Sequence, residues 1–274
     1  MTSLVLAFLA CSGAGGFQDS GGSGDSASDV AFVKVSASTF LMGCTDGQRD
    51  CGRDEPEHSV TLTHDYFVGV TEVTQWQFEA AMGYNPSGFS GCGASCPVET
   101  VSWYESAAYA NALSSSAGLM DCYTCTGRGS QVECDVAVDP YDCDGYRLLT
   151  EAEWEGAARC GEDLSYAGSD DILEVGWISD NSGSTPHAAA GLAPNACGLY
   201  DMTGNAWEWT QDWYHAYDSG AATDPGGPSV GSERVKRGGG WSGSAFYAHV
   251  SRRHNGSAGY GDVSYGFRLS RSSP

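Results

Sequence analysis

The sequence has 274 residues, a length that suits one large domain or two small ones. Hydrophobic residues make up 41% of it, eight of them tryptophan, and only 18% are charged, which indicates a packed core rather than a disordered acidic chain. The net charge of −22, with lysine only at Lys34 and Lys236, excludes a basic nucleic-acid-binding surface.

The first eleven residues predict an export signal. An apolar run from Leu4 to Ala10 leads into Cys11 and small residues, the pattern of a bacterial lipoprotein processing site with Cys11 as the lipidated residue. Residues 12–29 are rich in Gly, Ser and Asp and predict a linker, so one domain is expected over 30–274. Further apolar runs fall short of the roughly 18 residues that span a bilayer, so membrane contact is expected only through this anchor. We expect a cell-envelope lipoprotein or a secreted protein.

The cysteines after Cys11 predict a disulfide framework. They number ten, and an even count in an exported chain is most simply explained by five disulfides, with Cys44/Cys51 and Cys92/Cys96 as clips on loops. The alternative is zinc, since "CYTC" at 122–125 followed by two more cysteines resembles a zinc ribbon. The pairing within 122–143 stays open. The candidates are Cys44, Cys51, Cys92, Cys96, Cys122, Cys125, Cys134, Cys143, Cys160 and Cys197.

The chain then alternates between strand and helix patterns. Residues 31–43, "AFVKVSASTFLMG", alternate like a strand, and 58–74 predict two more. Three helices are predicted to begin after Thr74, Ser102 and Thr150, the last two with a glutamate at the capping-box position. Their stop signals are Gly83, Gly118 and Gly161. The region that follows is rich in glycine, turns and aromatics, and the sequence therefore predicts an α+β fold with few long regular elements.

Several phrases occur in order between Phe32 and Ser270. They are "FLMG", "EPEHSVTLTHDYFVGVTEVTQWQF", "NPSGF", "PVETVSWYESAAYANAL", "YRLLTEAEWEGAAR", "NACGLYDMTGNAWEWTQDWY", "RVKRGGGW" and "YGFRLSR". Together they resemble the sulfatase-modifying-factor family, that of the formylglycine-generating enzyme. The resemblance implies a variant C-type-lectin fold that often binds calcium. The family also includes ligand-binding domains with no catalytic role.

The segment "YDMTGNAWEW" is the candidate calcium site. Calcium takes six to eight oxygen ligands from carboxylates, backbone carbonyls and water. In the matching segment of the family, four positions hold calcium. Carried over to this chain, the resemblance assigns two carboxylates and two backbone carbonyls, those of Asp201, Gly204, Ala206 and Glu208.

The segment "RGGGWSGSAFYAHVSRRHNG" lacks the chemistry of the formylglycine-generating enzyme. The resemblance implies two copper-binding cysteines, two and seven residues beyond the aromatic anchor, here Trp241. These positions are Gly243 and Ala248, and a glycine, Gly240, replaces the serine of the anchor. Because Cu(I) requires thiolates, neither copper nor copper-dependent formylglycine formation is expected, and no catalytic residue is assigned.

Two hypotheses of function follow. The first is a non-catalytic, calcium-stabilised binding module, a pseudoenzyme whose recognition surface is residues 242–265, rich in Ser, Gly, Asn and Tyr. The same scaffold hosts the variable proteins of diversity-generating retroelements, whose varied positions lie in this segment. The alternative is an oxidoreductase-family enzyme with a different active site in the same cleft. The sequence pattern does not identify the ligand or protein partner. The candidate residues for the pocket are Trp241, Ser242, Tyr247, His249, Arg252 and Arg253.

Overall fold

The computed structural model describes residues 30–45, 48, 51–218 and 220–273. The predicted lipidation site Cys11 and the linker 12–29 lie outside them. In this part of the chain, short strands and four helices form a mixed α/β structure, which confirms the predicted fold class. The helices are α1 (Gln75–Met82), α2 (Trp103–Ser116), α3 (Glu151–Arg159) and α4 (Ile172–Val175). None of these helices is long and apolar enough to cross a bilayer.

The strands of the described residues form four sheets. The strands are β1 (Phe32–Val35), β2 (Ser38–Met42), β3 (His58–Leu62), β4 (Tyr66–Gly69), β5 (Tyr123–Thr126), β6 (Glu133–Val136), β7 (Tyr146–Leu148), β8 (Trp207–Trp213), β9 (Ala222–Thr223), β10 (Arg234–Arg237), β11 (Arg253–Gly256), β12 (Tyr265–Gly266) and β13 (Leu269–Ser272). Their orders are β1-β4-β13-β7, β11-β10-β8-β12, β2-β3-β9 and β5-β6. Strand β13 pairs antiparallel with β4 and β7, so the last strand closes the sheet that the first strand begins.

The three predicted helices begin where their caps predict. Thr74, Ser102 and Thr150 each accept a hydrogen bond from the backbone N–H three residues on and complete a capping box. The end of α3 differs slightly from the prediction, because Cys160, with φ of 46°, is the left-handed C-cap residue that was expected at Gly161. The pattern at 31–43 forms two strands rather than one.

The buried core is aromatic and is organised around the helices. Phe78 of α1 stacks on Tyr109 of α2 with ring centroids 5.5 Å apart, and both contact Phe267. Trp103 at the start of α2 and Trp154 within α3 are fully buried. These contacts hold α2 and α3 against the sheets.

Disulfides join all ten cysteines of the described residues. The two predicted loop clips are present, and the pairing that the sequence left open is nested. The zinc-ribbon alternative is wrong because its four cysteines are bonded to each other. Five disulfides are typical of proteins that fold in an oxidising compartment. The bonds are Cys44–Cys51, Cys92–Cys96, Cys122–Cys143, Cys125–Cys134 and Cys160–Cys197.

Candidate binding site

The glycine run after β10 folds the following segment back over the sheet. Gly238 and Gly239 have φ of 88° and 77°, a region that favours glycine. A Cβ atom on Gly239 would lie only 2.9 Å from the Cα of Ala248. Glycine is therefore required there, and it brings the short 3₁₀ segment Ala245–Ala248 against the turn.

Four adjacent strands place a row of side chains on one face of the sheet β11-β10-β8-β12. Lys236 lies opposite His254 on one side and Trp209 on the other, while Tyr265 lies opposite Trp207. Opposed residues share a face, as do residues two apart on a strand. With the folded-back segment, this row lines an open cavity of about 200 Å³, which we call the Lys236 pocket. It is lined by Trp207, Lys236, Gly243, Tyr247, His254, Ser264 and Tyr265.

Lys236 is the only lysine or arginine in this lining. Its side chain is 2% exposed, and its Nζ lies 3.4 Å from the ring centroid of Tyr265 and 5.4 Å from that of Trp207. Burial lowers the pKa of Lys236 to about 8, against the weaker opposing effect of Asp262 and Glu233. The amine is therefore mostly protonated at neutral pH, yet it loses its proton far more readily than an exposed lysine.

Aromatic rings form most of the remaining wall. The ring centroid of Trp207 lies 5.4 Å from that of His254 and 6.4 Å from that of Tyr247. The pKa of His254 is lowered, chiefly by burial. Its Nδ1 lies 2.9 Å from the backbone N and 3.0 Å from the backbone O of Asn255, so the main chain of the next residue holds the ring in place.

The predicted pocket candidates occupy different places. Tyr247 lines the pocket, whereas Ser242 is exposed and outside the lining. Trp241 is buried, and its backbone and indole N–H groups donate to carbonyls of two neighbouring loops. His249 packs against the ring of Tyr166, with centroids 5.0 Å apart. Trp241 and His249 thus lie outside the lining of the pocket.

The two candidate arginines form ion pairs instead of lining the pocket. Arg252 donates to Glu55 at 2.8 Å from Nη1. Arg253 is buried and holds both carboxylate oxygens of Glu151, at 2.9 Å from Nε and 2.6 Å from Nη2. Because their donors face protein carboxylates, these side chains tie β11 and the residue before it to other elements.

Sequence reasoning missed two lining residues, Trp207 and Lys236. Three others, His254, Ser264 and Tyr265, lie within the predicted recognition surface 242–265 but were not singled out individually. The one available signal was that Lys236 is one of only two lysines and lies within a strand pattern. These side chains come together only because of the register between neighbouring strands, which the sequence pattern did not reveal.

The predicted calcium segment forms a tight, buried turn before β8. Asp201 has φ of 56° and accepts a hydrogen bond from the backbone N–H of Ala190 at 2.7 Å. Gly204 has φ of 74°, and a Cβ atom there would lie 2.3 Å from the carbonyl oxygen of Trp177. The N–H of Ala206 donates to Glu72 at 2.8 Å.

Glu208 already has protein partners. Arg268 donates from Nε to both carboxylate oxygens and from Nη2 to Oε1, and Trp154 donates its indole N–H to Oε2 at 2.7 Å. Across the described ranges, no group of three or more His, Cys, Asp or Glu side chains is arranged to hold a metal ion. Glu208 is therefore a poor calcium ligand in this arrangement.

The charge balance, in contrast, suits a cation. Three buried carboxylates, those of Glu72, Asp201 and Glu208, face one guanidinium, that of Arg268. Burial, followed by the charges of Asp201 and Glu208, raises the pKa of Glu72 well above its usual range. The residues fit calcium in charge but not in the predicted set of donors, and the calcium site stays a prediction.

A second, larger cavity has its two basic side chains paired with carboxylates. It measures about 500 Å³ and lies between β1, β2 and the end of α3. Its lysine, Lys34, pairs with Asp65 at 2.6 Å, and its arginine, Arg159, pairs with Glu155 at 2.8 Å. The Lys236 pocket is the better candidate because its charged group has no carboxylate partner of this kind.

The family model described as sulfatase-modifying factor enzyme 1-like domain matches residues 23–273. The chain therefore belongs to this family, as the sequence phrases predicted. It is 33% identical over 224 residues to "Chaperone protein LppX" of Paenibacillus barcinonensis, covering 71% of this chain and 75% of that protein.

Two further relatives connect the fold to known proteins. The formylglycine-generating enzyme of Thermomonospora curvata is 40% identical over 129 residues, which are 39% of this chain and 40% of the enzyme. Among solved structures, Treponema denticola variable protein 1 is similar with a TM-score of 0.78 and 34% identity, covering 88% of this chain and 95% of that one. The fold is thus shared with an enzyme and with a protein named for its variability.

Proposed function

We propose that this protein is an exported, lipid-anchored binding module without catalytic activity, and that the Lys236 pocket is its binding site. One observation carries the proposal: the pocket has no thiol. Gly243 lies in its wall at a position where the resemblance implies a copper-binding cysteine, Ala248 is buried beside it, and the described cysteines are all in disulfides. Oxygen ligands do not replace thiolates for the soft ion Cu(I).

The relatives support an interaction role. One is named a chaperone, a function exerted by binding another protein, and its alignment covers most of both chains. Export is supported by the five disulfides, and the lipid anchor by the pattern that ends at Cys11. Calcium is included in the proposal as a stabilising ion beside Asp201, where the surplus negative charge lies.

The test uses the full mature protein. Copper and calcium are measured by elemental analysis, and oxygen uptake is measured with a cysteine-containing sulfatase-motif peptide and a thiol reductant. We expect no copper and no uptake, with a formylglycine-generating enzyme as the positive control. The double variant Gly243→Cys, Ala248→Cys tests the positions themselves, since it should gain Cu(I) binding. Thiol-dependent oxygen uptake by the unaltered protein would overturn the proposal.

One observation favours the alternative of an enzyme with a different active site in the same cleft. A lysine with a lowered pKa in a cleft is a typical catalytic group. Turnover of the peptide without copper, abolished in Lys236→Met, would support that alternative.

A further inference from the structure

Lys236 is a buried residue without a carboxylate partner among the described residues. In the part of the chain that the structure describes, no carboxylate oxygen lies within 4.0 Å of its Nζ, and the contacts it has are the rings of Tyr265 and Trp207. A largely desolvated charge without a partner is costly, and an interaction with a ring recovers only part of that cost. The pocket therefore favours a ligand that brings an acceptor to Nζ.

The nearest acidic groups are engaged elsewhere. Asp262 Oδ1 accepts from the backbone and side chain of Ser264 at 3.0 and 2.8 Å. Glu233 Oε2 accepts from the side-chain amide of Asn255 at 2.6 Å. These two carboxylates help to keep Lys236 charged, but their hydrogen bonds hold them away from Nζ.

The walls and the size define the rest of the ligand. The rings of Trp207, Tyr247, His254 and Tyr265 offer flat apolar surfaces around a cavity of about 200 Å³. For scale, an engineered apolar cavity of about 150 Å³ holds benzene. The positive charge of Lys236 disfavours a cationic ligand in the pocket. The net charge of −22 disfavours the approach of a polyanion from a distance.

We infer that the Lys236 pocket binds a small, flat monocarboxylic acid of about the size of benzoate, with its carboxylate on Nζ of Lys236 and its body between the rings. This inference rests on the proposed function, because it names the ligand class of the same pocket. A carboxylate would give Lys236 the charge-assisted hydrogen bond that the folded chain does not supply.

The experiment measures binding to the full chain by calorimetry with three probes of one shape: benzoate, benzamide and benzylammonium. Benzoate should bind at least about tenfold more tightly than the other two, the usual worth of a hydrogen bond to a charged group. Lys236→Met, which keeps the apolar stem, should lose this preference. Lys34→Met is the matched control, since it alters the only other lysine, which is exposed and paired with Asp65.

A pH series on the unaltered protein gives a second readout that needs no variant. Benzoate affinity should fall as the pH rises from 7 to 9.5, because the ammonium of Lys236 loses its proton in this range. Of the other groups around it, His254 has a lowered pKa and Tyr265 a raised one, so they titrate outside the range. The remaining titratable groups around Lys236 are Asp262, Glu233 and Tyr247.

The outcomes separate the two proposals. Equal affinity for benzoate and benzamide, unchanged affinity in Lys236→Met, or a flat pH series would overturn the ligand class. If one of these results is found and the unaltered protein shows no oxygen uptake, the proposed function as a binding module still stands. Oxygen uptake by the unaltered protein would overturn the proposed function as a binding module, whether or not benzoate binds.

Discussion

Arg268 and Glu208 form a buried ion pair in which one guanidinium contacts both oxygens of one carboxylate. The Nη2 of Arg268 lies 2.6 Å from Oε1, and its Nε lies 2.7 Å from Oε2. Trp154 supplies one more donor to the same carboxylate. Glu208, which the family resemblance assigns to calcium, therefore connects β8, α3 and the C-terminal strand region through protein contacts alone.

Replacing Glu208 with glutamine should destabilise the fold strongly. Glu208→Gln leaves the guanidinium of Arg268 buried without its partner, and breaking a buried pair in this way costs about 3–5 kcal/mol. Urea unfolding at neutral pH measures the loss. The control is Glu79→Gln on the exposed face of α1, which should change stability by less than about 0.5 kcal/mol. Equal effects of the two substitutions would contradict the structural role of Glu208.

Calcium should raise the thermal unfolding midpoint relative to a chelator. A ligand at 100 times its Kd stabilises the folded state by about 2.7 kcal/mol. Asp201→Asn suits the left-handed backbone at this position and removes one of the crowded negative charges. It should therefore raise the midpoint in the chelator yet reduce the gain from calcium. If calcium leaves the thermal unfolding midpoint of the unaltered protein unchanged, the calcium prediction is wrong.

The buried carboxyl of Asp212 should make stability depend on pH. Burial, followed by the charge of Glu151, raises the pKa of Asp212 to about 8. Between its ordinary pKa near 4 and pH 8, the unfolded chain has lost this proton while the folded chain keeps it. The folded state thus binds more protons, and the stability contributed by Asp212 falls as the pH rises through this window.

Asp212→Asn removes that dependence. Asparagine retains an oxygen for the backbone N–H of Glu151, which donates at 2.6 Å. The variant should match the unaltered protein at pH 4 and exceed its stability by about 2–4 kcal/mol at pH 8. Urea unfolding at pH 4, 6 and 8 makes the comparison. Two parallel profiles, or a less stable variant at pH 8, would count against the neutral buried carboxyl.

Local signals in the sequence predicted local structure well. Thr74, Ser102 and Thr150 marked three helix starts because capping depends on residues within one turn. The short disulfide clips were equally visible, since Cys92 and Cys96 are only four residues apart. The family assignment came from phrases spread along the whole chain.

The pocket could not be predicted in the same way. Lys236 meets His254 and Tyr265 only through the register of separate strands, and the sequence between them does not encode that register in a short pattern. Arg252 and Arg253 were placed in the pocket because of their sequence position. Their ion pairs are with glutamates about one hundred to two hundred residues away along the chain, which no local rule could anticipate.

The disulfide between Cys160 and Cys197 should contribute more stability than the clip between Cys92 and Cys96. In the chain-entropy model, the closed loop of 37 residues is worth about 4 kcal/mol and the loop of four about 2 kcal/mol. The double variants Cys160→Ala, Cys197→Ala and Cys92→Ala, Cys96→Ala are compared by urea unfolding under non-reducing conditions. The longer bond also supports the site, because it fixes the end of α3 to the segment that leads into Asp201. A larger loss from the short clip would show that strain or local contacts, rather than loop entropy, set the values.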